Sequence, residues 1–487
     1  MNKIKSVYIK IVRNIGLGVL FAVSGASGCS SENNEKDTRQ IEKPNIVFIM
    51  VDDLGWKDVG FMGSNYYETP NVDKLSRQGM VFTNAYANAP NCAPTRACLI
   101  TGQYTPRHGI YTVNNPDRGE SRYRKLIPIP NNTILNSSFV TLAETMKSAG
   151  YRTGMMGKWH LGEGGGTGPE AQGFDVNIGG CHQGHPATYF SPYENEYIED
   201  GTDGEYLTDR MTDEAIKFIE GSKDGPFFLY LTYYAVHTPI QPKPEVKEKY
   251  EGKAADGKQN NPAYAAMVET VDAGVGRVMD KLDELMLTEN TVVIFFSDNG
   301  GVGGITDMDP LRGSKGMLYE GGIREPMIVR WPGKVNPGTR CDIPVISIDF
   351  YPTFMEIAGI SKPIDLILDG ENILPLFTGG EGFSDRAIFW HFPAYLEASS
   401  YLPGLIWRTT PVSVIREGDW KLLEFFEDGN LELYNLKDDI SETNNLADQM
   451  PEKATSLHNK LLNWRAKIEA PVPTELNPEY QINTGSN

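Results

Sequence analysis

The sequence predicts an α/β domain with a buried, mostly parallel sheet, followed by a smaller domain with an antiparallel sheet. Apolar runs without polar alternation recur in the first 330 or so residues, which is typical of strands covered on both faces. Amphipathic helical patterns lie between these runs. After Leu376 the runs become shorter and are separated by Gly and Asp, as in antiparallel sheets.

The first domain is predicted from four apolar runs, at residues 45–51, 226–236, 291–296 and 326–331. Polar residues follow three of them: Asp52 and Asp53, then His237, then Asp298 and Asn299. The carboxyl ends of parallel strands face one crevice, so these side chains are expected to meet there. The clearest helix has one apolar face, formed by Val268, Val271, Val275, Val278, Leu282 and Leu285.

The second domain is predicted from strands at 387–392, 412–416, 420–426 and 431–436. A helix with its apolar residues at three- and four-residue spacing follows and should pack on this sheet; they are Ala454, Leu457, Leu461, Trp464 and Ile468. The predicted boundaries are 44–376 for the first domain, 384–470 for the second, and 471–487 for a surface tail.

Composition excludes some classes of partner. The chain has 487 residues, 40% of them hydrophobic, so it can bury a large core. Its formal net charge of -19 argues against a nucleic-acid partner, since nucleic-acid binding requires basic patches. An anionic substrate would therefore need a local basic pocket.

The N-terminus has the layout of a secretory signal peptide, with basic residues followed by an apolar run at 15–23 and small residues up to Cys29. Residues 26–29 resemble a bacterial lipobox, with plain cleavage as the alternative. Residues 30–43 form a polar tether. We expect an exported protein, either periplasmic or a lipoprotein of the outer membrane or cell surface, whose only membrane attachment is its N-terminal lipid.

The most specific motif begins at Cys92 and reads Cys-Ala-Pro-Thr-Arg-Ala-Cys-Leu-Ile-Thr-Gly. It resembles the signature of the formylglycine-dependent type I sulfatases, in the alkaline-phosphatase-like superfamily, and the chain resembles exported bacterial carbohydrate sulfatases. Thr95 replaces the usual Ser, and Asn91 is more polar than is common at its position. Pro94 suits the first turn of a helix, whose free amides would favour an anion near Cys92. An isolated Cys would more simply be a buried thiol.

The resemblance implies a large mixed, mostly parallel sheet sandwiched by helices. It also implies that a maturation enzyme oxidises Cys92 to formylglycine, and that Ca²⁺ is bound by Asp52, Asp53, Cys92, Asp298 and Asn299. The oxygen-rich donor set agrees with a hard cation. Catalytic roles transfer by position to Cys92, Arg96, Lys158, His160, His237, Lys315 and Asp298.

These assignments have simpler alternatives when each motif is taken alone. Asp298-Asn299-Gly300 is a good turn, and Lys158, His237 and Lys315 could be ordinary loop residues. His108 and His458 are not assigned to catalysis. A sugar subsite could use His182, His185, His391, Trp390, Trp407 or Arg408, although packing or surface positions are the simpler interpretation for each.

The predicted function is hydrolysis of sulfate esters on carbohydrate, with release of inorganic sulfate. Two alternatives stay open at this stage. One is a phosphonate monoester or phosphodiester hydrolase of the same superfamily, and the other is a noncatalytic glycan-binding lipoprotein.

Overall fold

The computed structural model describes residues 43–380, 382–383 and 385–481. The predicted signal peptide, Cys29, nearly all of the tether and the last residues of the tail lie outside these ranges. Within them, no helix combines the length and the apolar character needed to cross a membrane.

The first domain is built on a nine-stranded sheet. Its strands are β1 (Asn45–Val51), β2 (Met80–Tyr86), β3 (Arg152–Gly157), β4 (Val176–Ile178), β5 (Phe227–Thr232), β6 (Thr291–Ser297), β7 (Arg324–Arg330), β8 (Thr339–Cys341) and β9 (Val345–Ile346). The order is β4-β3-β5-β1-β6-β7-β2-β8, and β9 pairs with β2. Only β7 runs against the others in the part of the sheet that the structure describes.

Both faces of this sheet are buried. Alternate residues of β1 enter two separate cores, with Val47 and Ile49 on one side and Ile46 and Phe48 on the other. The helices are α1 (Pro70–Gln78), α2 (Cys92–Thr101), α3 (Thr105–His108), α4 (Leu142–Ser148), α5 (Gly164–Thr167), α6 (Leu207–Ser222), α7 (Pro244–Glu248), α8 (Pro262–Glu284), α9 (Glu320–Ile323), α10 (Phe350–Ile357), α11 (Leu374–Phe377) and α12 (Pro451–Lys467). The longest of them, α8, begins with an Asn261 cap and buries the predicted valine face.

The smaller sheet has the antiparallel order β10-β13-β14-β15. Its strands, with the two-stranded ribbon β11-β12, are β10 (Ala387–Phe392), β11 (Leu396–Glu397), β12 (Trp407–Thr409), β13 (Val412–Glu417), β14 (Trp420–Phe425) and β15 (Leu431–Asn435). Helix α12 packs on it through Leu457 and Leu461. After α12, the backbone of the C-terminal segment hydrogen-bonds to a loop of the first domain. The Ile127 amide donates to the Glu475 carbonyl, and the Asn477 amide donates to the Lys125 carbonyl.

The structure confirms the predicted fold class and corrects three details. The run at 326–331 belongs to β7, which is antiparallel to β6 rather than parallel. The run at 226–236 is a strand only as far as Thr232, because the chain then turns toward the crevice. Strands β2 and β3 were not predicted. Polar residues and glycine interrupt their apolar pattern.

Candidate active site

The crevice at the carboxyl edge of the large sheet collects the polar residues that follow β1, β3, β5 and β6. Asp52 and Asp53 follow β1, and Asp298 and Asn299 follow β6, its parallel neighbour. The backbone of Asp52 exchanges hydrogen bonds with Ala235 and Val236 at 3.0 and 2.8 Å. This clamp brings the segment after β5, with His237, to the end of β1.

Helix α2 presents Cys92 and Arg96 to the crevice from its first two turns. Cys92 is its first residue and is buried, which raises the pKa of the thiol. Arg96 is also buried and donates from Nε and Nη2 to Oδ2 of Asp298, at 2.9 and 2.7 Å. Its Nη1 donates to the Lys158 carbonyl at 2.6 Å. Arg96 therefore ties the helix to two strand ends.

Lys158 and His160 follow β3. The Lys158 side chain is fully buried and its Nζ lies 2.6 Å from Oδ2 of Asp52. His160 adopts a left-handed backbone conformation with φ of 62°. Burial, followed by the positive charges of Lys158 and Arg96, lowers the pKa of His160 well below its usual value. The imidazole is therefore neutral.

Gly157 lets β3 turn into this site. Its φ is 109°, and a Cβ added there would lie 1.9 Å from the Thr232 carbonyl oxygen. We expect Gly157→Ala to lower the free energy of unfolding by about 1–3 kcal/mol, because strain and the clash add together. Urea denaturation measures this loss. Gly150→Ala is the matched control, since Gly150 has φ of 84° but no atom within 4 Å of an added Cβ. Equal losses in both variants would rule out the clash.

Lys315 and His237 enclose Asp53 from the other side. The Lys315 ammonium contacts both oxygens of Asp53, at 2.6 and 2.7 Å. His237 Nδ1 lies 2.7 Å from the Thr238 carbonyl, which can only accept, so Nδ1 carries the proton. His237 Nε2 is 3.5 Å from Oδ2 of Asp53. Although burial opposes it, the nearby Lys315 and His237 lower the pKa of Asp53.

The residues at the base of the crevice fit a hard divalent cation. One group of possible donors is Asp52, Cys92 and Asp298, and another is Asp52, Asp53 and His237. Oδ1 of Asp52 and Oδ1 of Asn299 are buried without a hydrogen-bond partner among the described residues. Two such oxygens among carboxylates match the ligands of Ca²⁺ or Mg²⁺. Lys158 contacts Asp52 and Lys315 contacts Asp53, so the two lysines neutralise carboxylates that would bind the cation.

The crevice opens into a cavity of about 580 Å³ lined by Cys92, His160, His237 and Lys315 at its base. Of the residues considered for a sugar subsite, His182, His185 and Arg408 line this cavity. Trp390 and His391 are buried in the smaller domain instead. Trp407 packs against Tyr395, with ring centroids 5.0 Å apart.

The two histidines left unassigned lie elsewhere. His108 is buried, with Nε2 3.4 Å from the Cys98 sulfur, and His458 lies 3.1 Å from Glu424 on the smaller domain. Sequence reasoning missed other cavity-lining side chains, including Arg118, Asn114 and Gln183. These residues lie in loops without a recognisable motif. Only the local excess of polar residues around 114–125 could have drawn attention to that loop.

Comparisons with known proteins agree with this geometry. The Sulfatase family model matches residues 44–360, and the model "N-sulphoglucosamine sulphohydrolase, C-terminal" matches residues 314–467. A "Sulfatase" of Formosa agariphila is 35% identical, with 93% of this chain and 94% of that protein covered. "N-acetylgalactosamine-6-sulfatase" of Canis lupus familiaris is 33% identical, covering 72% of this chain and 69% of the relative.

Solved structures show the same relationship. The crystal structure of Ps i-CgsB is 31% identical, with a TM-score of 0.74 and coverage of 90% of this chain and 95% of that one. Ps i-CgsB has also been solved in complex with k-i-k-neocarrahexaose. The similarities extend over both domains, and they include the segments that carry Cys92, Lys158 and Lys315. The chain therefore belongs to the sulfatase family and is a sulfuric ester hydrolase.

Proposed function

We propose that the protein hydrolyses O-sulfate monoesters of carbohydrates, using a formylglycine derived from Cys92 and a bound Ca²⁺. One observation carries the proposal: Cys92, at the start of a helix, lines one cavity with Lys315, His160 and His237, and the buried Lys158 pairs with the neighbouring Asp52. Relatives named "N-acetylgalactosamine-6-sulfatase" and a neighbour solved in complex with k-i-k-neocarrahexaose support a carbohydrate substrate. We also propose that the protein is exported, with the N-terminus as its only membrane attachment.

The charges of the site suit an anionic substrate once a cation is present. Three carboxylates, Asp52, Asp53 and Asp298, face three cations, Arg96, Lys158 and Lys315, within hydrogen-bonding distance. Taken as ionised, they sum to zero, and a bound dication would bring the cluster to +2. Asp52, Asp53, Asp298 and Asn299 would supply oxygen ligands, with residue 92 beside them. The cation would supply a fixed positive charge for the sulfate oxygens.

The reaction requires a nucleophile, an acid and a base. Residue 92 would hold the formylglycine, whose hydrate would supply one hydroxyl as the nucleophile toward sulfur and a second whose deprotonation would allow release of sulfate by cleavage of the C–O bond. Lys158 and Lys315 stabilise charge on the sulfate oxygens, in a buried setting where electrostatic interactions are strong. We propose that Lys315 donates the proton that the departing alcohol takes up. Its ammonium carries protons to donate regardless of the protonation state of His237. The neutral His160 accepts a proton during release of sulfate.

The experiment is peptide mass spectrometry across Cys92, on protein from a host that supplies the maturation enzyme. We expect a mass about 18 Da below that of cysteine, together with turnover of a sulfated monosaccharide. Parallel assays on a phosphodiester and a phosphonate monoester test the alternative chemistry. An unmodified thiol at residue 92 in the native host, together with no sulfatase activity, would contradict the proposal and favour the noncatalytic glycan-binding hypothesis. Faster turnover of the phosphodiester or the phosphonate monoester would show that phosphorus esters, rather than sulfate esters, are the substrate class.

A further inference from the structure

Arg408 lines the same cavity as Cys92, His237 and Lys315, and its charge is not paired with a carboxylate of the described residues. The residue lies in β12, and Arg118, from a loop of the first domain, lines the same cavity. Arg118 donates from Nε and Nη2 to Oε1 of Glu397, at 3.1 and 2.6 Å. Arg408 reaches only the backbone of that residue, donating from Nε to the Glu397 carbonyl at 2.8 Å.

The terminal nitrogens of Arg408 have no acceptor in the described part of the chain, and no carboxylate there forms an ion pair with it. The guanidinium has five N–H donors, so four of them are left for a ligand. Arg118, Arg408 and Glu397 together carry a net charge of +1. Burial, and then the charge of Arg118, lower the pKa of Arg408. An anion placed here would relieve that repulsion.

The surrounding structure holds this guanidinium in place. A Cβ on Gly316 would lie 3.1 Å from Cδ of Arg408, so the side chain packs against the backbone next to Lys315. A Cβ on Gly119 would lie 2.5 Å from the ring of Trp407, the neighbour of Arg408 in β12. The loop with Arg118 and the ribbon with Arg408 are therefore packed together. A partly buried cation held in place in a polar cavity is suited to bind a carboxylate or sulfate.

We propose that Arg408, supported by Arg118, binds a second anionic group of the substrate, so that the preferred saccharide carries another sulfate or a carboxylate beside the sulfate that is removed. This inference rests on the proposed function. It also explains how a protein with a net charge of -19 captures an anionic saccharide. Long-range electrostatic attraction is absent, and two positive sites in the cavity attract the substrate at short range.

The test compares three substrates: a monosulfated monosaccharide, the same sugar with a second O-sulfate, and the same sugar joined to a uronic acid. For the matured wild-type enzyme we expect kcat/KM to be about tenfold or more higher on one of the two dianionic substrates, which corresponds to a charge-assisted hydrogen bond. Preference for the disulfated sugar identifies sulfate as the second anion. Preference for the uronide identifies carboxylate.

Arg408→Gln should remove this preference through KM, with about a tenfold loss on the preferred dianionic substrate and less than about a twofold change on the monosulfated sugar. Arg408→Lys should restore part of the loss. Arg122→Gln is the matched control, because Arg122 is an exposed arginine paired with Glu120 outside the cavity. Thermal unfolding of each variant detects damage to the fold.

Equal losses on all three substrates would overturn the inference, since Arg408 would then serve the reactive sulfate or the fold. A wild-type enzyme without preference would also overturn it. Absence of turnover on any substrate by matured protein is a failure of the proposed function instead. In that case, dissociation constants of the same saccharides measured by calorimetry decide the inference: an affinity difference that depends on Arg408 supports it, and equal affinities reject it.

Discussion

Cys92→Ala should reduce turnover of a sulfated sugar by about 10⁴-fold or more while the protein stays folded, because the substitution removes the proposed nucleophile from an otherwise intact site. Cys92 faces the cavity rather than a packed core, so the free energy of unfolding should change by less than about 1 kcal/mol. Steady-state kinetics and urea denaturation measure the two effects. The combination of lost activity and kept stability identifies a chemical role.

Cys98→Ala provides the matched control for this result. Cys98 is a buried cysteine on the same helix, but it packs in the core of the smaller domain beside His108. The loss of a buried sulfur should cost stability, about 1–2 kcal/mol, while the folded fraction keeps its activity. Wild-type activity in Cys92→Ala, or an equal loss of activity in both variants, would exclude Cys92 as the nucleophile.

Arg96→Met should have the second largest effect, on stability as well as on rate. It leaves the buried carboxylate of Asp298 without its partner, which costs about 3–5 kcal/mol of unfolding free energy in a protein without bound metal. Loss of a positive charge beside the sulfate should lower kcat by about 10²–10³-fold. Urea denaturation, in EGTA and in calcium, measures the stability effect.

Calcium should reduce this stability cost. If Asp298 is a ligand, the cation replaces Arg96 as its counter-charge, and the wild type itself should unfold at a higher temperature in calcium than in EGTA. Arg107→Met is the control, because Arg107 makes a bidentate pair with Asp369 away from the crevice. A cost of Arg96→Met that is the same in calcium and EGTA would remove Asp298 from the ligand set.

The sequence predicted the fold best where each strand is apolar throughout. Strand β1 alternates between two cores, so every residue from Ile46 to Val51 is apolar and the strand is evident. Strand β3 was missed, because its glycines serve special purposes. Gly157 turns the chain into the site, and Gly154 leaves room for the ring of Phe218. Such requirements depend on neighbours that are distant in sequence.

The base of the site could be expected from the sequence, whereas the cavity wall could not. Asp52, Asp298 and His237 follow strand-like runs, and parallel strands direct such residues to one edge. Arg118 and Arg408 are separated by hundreds of residues and belong to a loop and a short ribbon. Their proximity depends on how the smaller domain packs on the larger one, which no local pattern specifies.

The core beneath the smaller sheet has a consequence for cooperativity. It contains Cys98 of α2 and Tyr86 of β2 together with Leu457 and Leu461 of α12. The helix that begins at Cys92 is therefore covered on one side by residues from the last third of the chain. Melting of the C-terminal sheet would expose that helix to water, so residue 92 would not keep its position after the sheet is lost. We therefore expect the boundary predicted between 376 and 384 to separate two sheets without separating two independently folding units.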